Sequence, residues 1–321
     1  MVYKVECGSC RKRRLLLKRF AVIDSPSILG LRPTGVECLP EALKAAGLIS
    51  RLNAEYAGSV LPLSYNSERD KEKLLLNPDS IRAFSQRLAD KVTHVLHNEQ
   101  FPIVLGGDCS ILIGALLGLR RNGRYGLFFI DGHADFYQPN ASPTGEVADM
   151  DLAIVSGRGP DILTDIDSLK PLILDQDIVV FGYRDAVQAA SYGSQDVRDT
   201  NMHIFDLLQV QTLGIANAAS IAVKRLLKHE ITGFWIHLDV DVLNDQIMPA
   251  VDYRLEGGGL SFSELSDLLK ILFGSGHAIG MDITIFNPSK DVDGSIAHNL
   301  VSSLAAGMSY NNRKFTSQSV L

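Results

Sequence analysis

Cysteine is scarce in this chain: Cys7, Cys10, Cys38 and Cys109 are the four present in 321 residues. Four are too few to staple a chain of this size, which excludes a disulfide-built secreted scaffold and makes a reducing compartment the expectation. Long apolar runs are missing as well. No stretch approaches the ~20 residues of a membrane span, and residues 15–17 are too short for a signal-peptide core, so a soluble, cytoplasmic protein is expected. Basic charge is in short supply too. Thirty-one Lys and Arg stand against 37 Asp and Glu, a formal net charge of −6, and the one basic run lies at residues 11–19. A broad phosphate-binding face is thereby excluded, and neither nucleic acid nor a membrane is an expected partner. Repeats and low-complexity blocks are absent, which removes solenoids and arrays. Cys7 and Cys10 form one CxxC with no second CxxC or HxxxH, so the tail offers at most half a zinc knuckle.

What remains is an ordinary globular mixture, 46% apolar and 21% charged, with a strong alternation. Short β-rich apolar runs occur at 20–23, 102–105, 126–130, 178–181, 203–205, 233–238 and 278–283. Helical patterns lie at 35–46, 80–97, 110–120, 216–229, 261–273 and 295–306. Strands alternating with helices predict right-handed crossovers and a doubly wound, mainly parallel sheet in a three-layer αβα fold. Residues 1–17 read as an extended basic tail and 18–321 as one α/β domain. In such sheets ligands sit beyond the carboxyl ends of the strands, so polar residues just after strands carry the most information.

Three strand ends have unusual chemistry: Gly106-Gly-Asp-Cys-Ser110, Asp131-Gly-His-Ala-Asp135 and His237-Leu-Asp-Val-Asp241. In Asp131-x-His133-x-Asp135 and Asp239-x-Asp241 the alternate spacing places side chains on one face of an extended chain. Four aspartates and a histidine can converge there. Clustered carboxylates cannot all ionise without a counter-ion, so the spacing predicts one or two divalent cations bridged by carboxylates. Mixed oxygen and imidazole donors suit Mn, Ni, Co, Fe or Zn better than Ca or Mg.

These motifs resemble the ureohydrolase superfamily, the arginase, agmatinase and formiminoglutamase relatives, whose signatures read GGDHS, DAHxD and SxDxD. Met248-Pro-Ala250, Gly257-Gly-Gly-Leu260 and Asn287-Pro288 match further landmarks. The resemblance implies an arginase-like fold, a divalent-metal cofactor with manganese foremost, a small-molecule substrate and a homo-oligomer, a trimer or hexamer. It implies that Asp131 and Asp239 bridge two metals, that Asp135 binds the first and orients a bridging hydroxide, and that His133 and Asp241 complete the second. The remaining position on the first metal, imidazole in the family, is Cys109 here. Two divalent ions are balanced by the four aspartates; a Cys109 thiolate adds a fifth negative charge and favours a softer metal. If Cys109 stays a neutral thiol, one ion binds instead of two.

Other departures concern the substrate. The family's guanidinium-binding Glu falls on Ile285, and its proton-shuttling His falls on Ala148, with Glu146 and Asp149 nearby as catalytic replacements. The residues that hold the amino-acid end of arginine fall on Tyr137 and Val187, so plain L-arginine is not the expected substrate. Tyr137, Tyr253 and Arg254 are the candidate substrate-binding residues, Arg254 as an anchor for a carboxylate. The expected activity is metal-dependent hydrolysis of a linear C–N bond in a guanidino, amidine or formimino compound, including N-substituted guanidines. The competing reading is a catalytically degenerate relative with a regulatory or structural role.

Overall fold

The computed structural model of the chain describes residues 19–308, so the basic tail and the CxxC pair lie outside the described residues. Eight strands form: β1 (Phe20–Ser25), β2 (Glu55–Ser59), β3 (Phe101–Gly106), β4 (Gly126–Ile130), β5 (Ile178–Phe181), β6 (His203–Phe205), β7 (Phe234–Asp239) and β8 (Ala278–Thr284). They make one sheet in the order β2-β1-β3-β8-β7-β4-β5-β6, parallel throughout. Parallel neighbours need crossovers. The helices are α1 (Leu39–Ala45), α2 (Leu48–Leu52), α3 (Pro78–His97), α4 (Ile111–Arg120), α5 (Asp151–Val155), α6 (Asp161–Thr164), α7 (Ala186–Ser191), α8 (Leu207–Leu213), α9 (Ile215–Leu226), α10 (Phe262–Gly274) and α11 (Ser295–Met308).

Strand side chains alternate between faces, and here both faces are buried. Ile103, Leu105, Phe128, Ile130, Ile236 and Leu238 enter one core, beneath α1, α2 and α8 to α11. Val104, Leu127, Phe129, Val180 and Trp235 enter the other, beneath α3 to α6. The architecture is the doubly wound αβα sandwich that the alternation predicts. No helix among the described residues is long and apolar enough to cross a membrane.

All seven strands expected from the sequence are present, and the eighth, β2, carries no apolar run because it is a mostly exposed edge strand. The expected helix at 35–46 is divided into a 3-10 turn, Val36–Cys38, and α1. Helix α3 begins two residues before the expected 80, at Pro78, where a missing N–H costs nothing. Helices α2 and α5 to α8 have seven residues or fewer, too short to display a 3.6-residue period.

Candidate metal centre

The central strands β3, β8, β7 and β4 are neighbours, so the loops beyond their carboxyl ends meet. Cys109 comes from the loop after β3, and Asp131, His133 and Asp135 from the loop after β4. His237 and Asp239 lie on β7, and Asp241 on the 3-10 turn Val240–Val242 that follows. Close approach of backbones shapes these loops. A Cβ on Gly107 would stand 1.8 Å from the Ser27 carbonyl oxygen, and one on Gly132 would stand 2.9 Å from the Asp241 carbonyl oxygen. Buried Asp108 accepts the N–H groups of Ser110 (2.9 Å) and Gly30 (3.2 Å), which holds the loop that presents Cys109. The segment after β4 is not extended as its alternate spacing predicts. It turns, with Asp135 at φ 43°, a left-handed conformation that a short polar side chain tolerates.

Asp131 is common to two groups of potential ligands. One ligand atom each from Cys109, Asp131 and His237 lies within 4.8 Å of the other two, and the same holds for Asp131, His133 and Asp241. Asp131 Oδ2 is 3.9 Å from His237 Nε2, while Asp131 Oδ1 is 3.9 Å from His133 Nδ1. His133 Nδ1 lies 2.7 Å from Asp241 Oδ2. The Cys109 thiol donates to Asp239 Oδ2 at 3.0 Å, with Thr284 Oγ1 3.3 Å from the sulfur. Asp239 Oδ1 accepts the Asp241 N–H at 2.7 Å.

Burial, followed by the neighbouring carboxylates, pushes Asp135 and Asp239 well above the ordinary 3.8. Asp131 is raised to about 7 by burial and then by Asp241. Burial and Asp239 push the Cys109 thiol well above its ordinary 9.0. Burial works against the His133 imidazolium, but Asp241 outweighs it and raises the group to about 10. The reciprocal effect outweighs the burial of Asp241 and holds it at about 2. A divalent cation resolves such a concentration of buried acids, replacing protons that the carboxylates otherwise keep. Buried Asp131 Oδ2 and His237 Nε2 have no hydrogen-bond partner, a costly condition that a bound ion would relieve. Carboxylate, imidazole and thiol donors together fit a divalent transition metal.

The other sequence candidates lie in separate contacts. Glu146 is fully buried, accepts the Tyr253 hydroxyl at 2.7 Å and has Arg32 Nε 3.4 Å from its second oxygen. Asp149 is partly exposed, and burial with the charge of Glu146 raises it to about 7. The Tyr137 N–H donates to the Asp149 carbonyl at 3.2 Å, and its ring packs against Tyr192. Arg254 is not brought to Tyr253 and Glu146 as an open anchor; its guanidinium pairs with Asp245 at 2.8 Å. Val187 is 86% exposed, whereas Ile285 is buried at φ 71° with its N–H on the Gly107 carbonyl. Asn287 donates to Asp252 Oδ1 at 2.8 Å and to the Thr34 carbonyl at 3.1 Å.

His237 is the residue that sequence reasoning leaves without a role, because it is absorbed in the apolar run of a strand. Its signal is a pair of departures: imidazole stands at 237 where the resemblance has Ser, and thiol stands at 109 where the resemblance has His.

A doubly wound parallel sheet that gathers such side chains at its carboxyl edge is the architecture of the ureohydrolase superfamily. The arginase family model matches residues 19–309, and the chain belongs to the arginase family. An arginase of Staphylococcus aureus (strain COL) is 32% identical over 295 residues, covering 89% of this chain and 95% of that protein. An arginase of Bacillus subtilis (strain 168) is 29% identical over 296 residues, covering 89% and 97% respectively. The solved native structure of the arginase from Bacillus caldovelox matches with a TM-score of 0.83 at 26% identity, covering 90% of this chain and 98% of that chain.

Proposed function

We propose that the chain is a metal-dependent hydrolase of a linear C–N bond, acting on a guanidino, amidine or formimino compound other than plain L-arginine. The observation that carries the reading is Asp131, whose two oxygens face two separate ligand groups as a bridging carboxylate would. Cys109 and Asp135 would hold one divalent ion and His133 and Asp241 the other, with Asp131 and Asp239 shared between them. When bound, such ions would acidify water and stabilise charge on the heteroatoms of the attacked centre. The protein supplies the rest. Burial of the carboxylates keeps the ligands ordered, and Asp149, poised at about 7, is the group suited to carry a proton at neutral pH. Glu146, tied to Tyr253 and Arg32, orients that wall of the site instead.

The substrate reading rests on what Ile285 and Val187 lack. An apolar, buried Ile285 cannot pair with a guanidinium, and Val187 offers no acceptor to an amino-acid end. The test is a screen of the purified chain, loaded in turn with Mn²⁺, Zn²⁺, Ni²⁺ and Co²⁺, against guanidino, amidine and formimino compounds with L-arginine among them. Turnover of another compound above L-arginine is expected. Preference for L-arginine would remove the substrate reading; no turnover together with less than one ion per chain would remove the enzyme and leave the degenerate relative.

A further inference from the structure

His237 is the only fully buried histidine among the described residues, and the roles proposed above do not use it. Strand register sets its surroundings, pairing it with Phe129 of β4 on one side and Asp282 of β8 on the other. The Phe129 ring stacks on the imidazole with centroids 4.6 Å apart, and Nδ1 meets Asp282 Oδ1 at 2.5 Å. Asp282 is itself held by the Trp235 indole N–H. The ring is therefore locked at Nδ1. Its other nitrogen, Nε2, is buried without a hydrogen-bond partner and stands 3.9 Å from Asp131 Oδ2, which lacks one too. The Cys109 sulfur lies within 4.8 Å of one ring nitrogen of His237 and one carboxylate oxygen of Asp131. An ion with ligand bonds of roughly 2.0–2.3 Å keeps tetrahedral donors about 3–4 Å apart, so this gap suits chelation and is too wide for a hydrogen bond. A carboxylate behind the far nitrogen is the usual support of a metal-bound imidazole.

We infer that His237 Nε2 is a metal ligand of this chain, forming with Cys109 and Asp131 a sulfur, nitrogen and oxygen site for a soft divalent ion such as zinc or cobalt. The imidazole that the family resemblance places at position 109 is supplied here from two strands across the sheet, and the thiol at 109 joins it. The inference rests on the metal-centre reading above and goes beyond it in naming the ligand and the class of ion.

The test strips the full chain with chelator, reloads it with Zn²⁺ or Co²⁺ and counts ions per chain by mass spectrometry, with circular dichroism as the check on folding. The wild type is expected to hold two ions. His237→Asn keeps a donor for Asp282 but removes Nε2, and is expected to hold one. The double variant Cys109→His with His237→Ser moves the imidazole back across the sheet and is expected to hold two again, which keeps the inference testable should His237→Asn fold poorly. With cobalt, the wild type shows sulfur-to-metal charge-transfer absorption that Cys109→Ser abolishes and His133→Ala retains. Two ions and an unchanged cobalt spectrum in His237→Asn would overturn the inference while leaving the metal centre intact. A single wild-type ion that His133→Ala loses and His237→Asn keeps would overturn it as well, assigning His237 as a fixed internal cation between Asp282 and Asp131. Failure of the wild type to bind any ion would instead defeat the proposed function itself.

Discussion

Ile285 concentrates the substrate question in one side chain. A β-branched residue at φ 71° is a backbone outlier that costs on the order of 1–3 kcal/mol, and it persists because its N–H is held by the Gly107 carbonyl beside the metal-ligand loop. The position is thus rigidly placed, and what it lacks is charge. Ile285→Glu is expected to lower the KM for a simple guanidino compound by about tenfold or more relative to Ile285→Gln, since a charge-assisted pair adds upwards of ~1.4 kcal/mol. Steady-state kinetics of the two variants decide it; equal values would show that position 285 does not reach the substrate. At this scale the candidate ligands Asp131, His133, Asp239 and Asp241 are marked out by their alternate spacing at the ends of β4 and β7, although the chain turns at both places instead of running extended. His237 is not, because inside an apolar strand a lone histidine has the same local signature as a core group with its hydrogen bonds met.

Among the elements, α10 is the one whose start is written most plainly. Ser261 accepts the Glu264 N–H at 3.2 Å while the Glu264 carboxylate accepts the Ser261 N–H at 2.8 Å, a reciprocal cap that satisfies two otherwise unpaired donors. Leu265, Leu268, Leu269 and Leu272 behind the cap are wholly buried in the core that supports β7 and β8. Ser261→Ala is expected to cost about 1 kcal/mol and to lower the melting temperature by about 1–2 °C in thermal denaturation, with metal content unchanged. A larger fall with loss of metal would mean that α10 positions the ligand strands directly. Strong periodicity makes such elements legible, and its absence hides the others. Edge strand β2 is mostly exposed, so its composition resembles a loop, and helices such as α5 and α6 form only because tertiary packing covers them.

Across the whole molecule, buried charge couples stability to pH and to metal. Without an ion, Asp131 and Asp149 titrate at about 7 against an ordinary 3.8, so the folded state keeps protons that the unfolded chain has released. Stability therefore falls as pH rises from the lower value through the higher one. His133, raised from 6.5 to about 10, stabilises below the lower value and loses that contribution as pH climbs through the upper one. Asp241, held at about 2, acts in the opposite sense, and its contribution disappears only in strong acid as pH falls through that value. The metal-free melting temperature should decline steadily from about pH 5 to pH 9, whereas metal-loaded protein should decline far less, because ions occupy the sites that protons otherwise fill. Melting curves with chelator and with excess Zn²⁺ or Mn²⁺ measure the gap. A gap that stays flat or narrows with rising pH would show that Asp131, His133 and Asp241 do not bind the ion.

Local order along the chain is enough to determine the layered parallel sheet and the family and to nominate the acidic residues proposed as ligands, because periodicity and alternate spacing are properties of neighbouring residues. The partnership of His237 with Cys109 and Asp131 was decided only by tertiary structure. These residues lie on or beyond β7, β3 and β4, and only the sheet order and its register bring their donors within reach of a common ion.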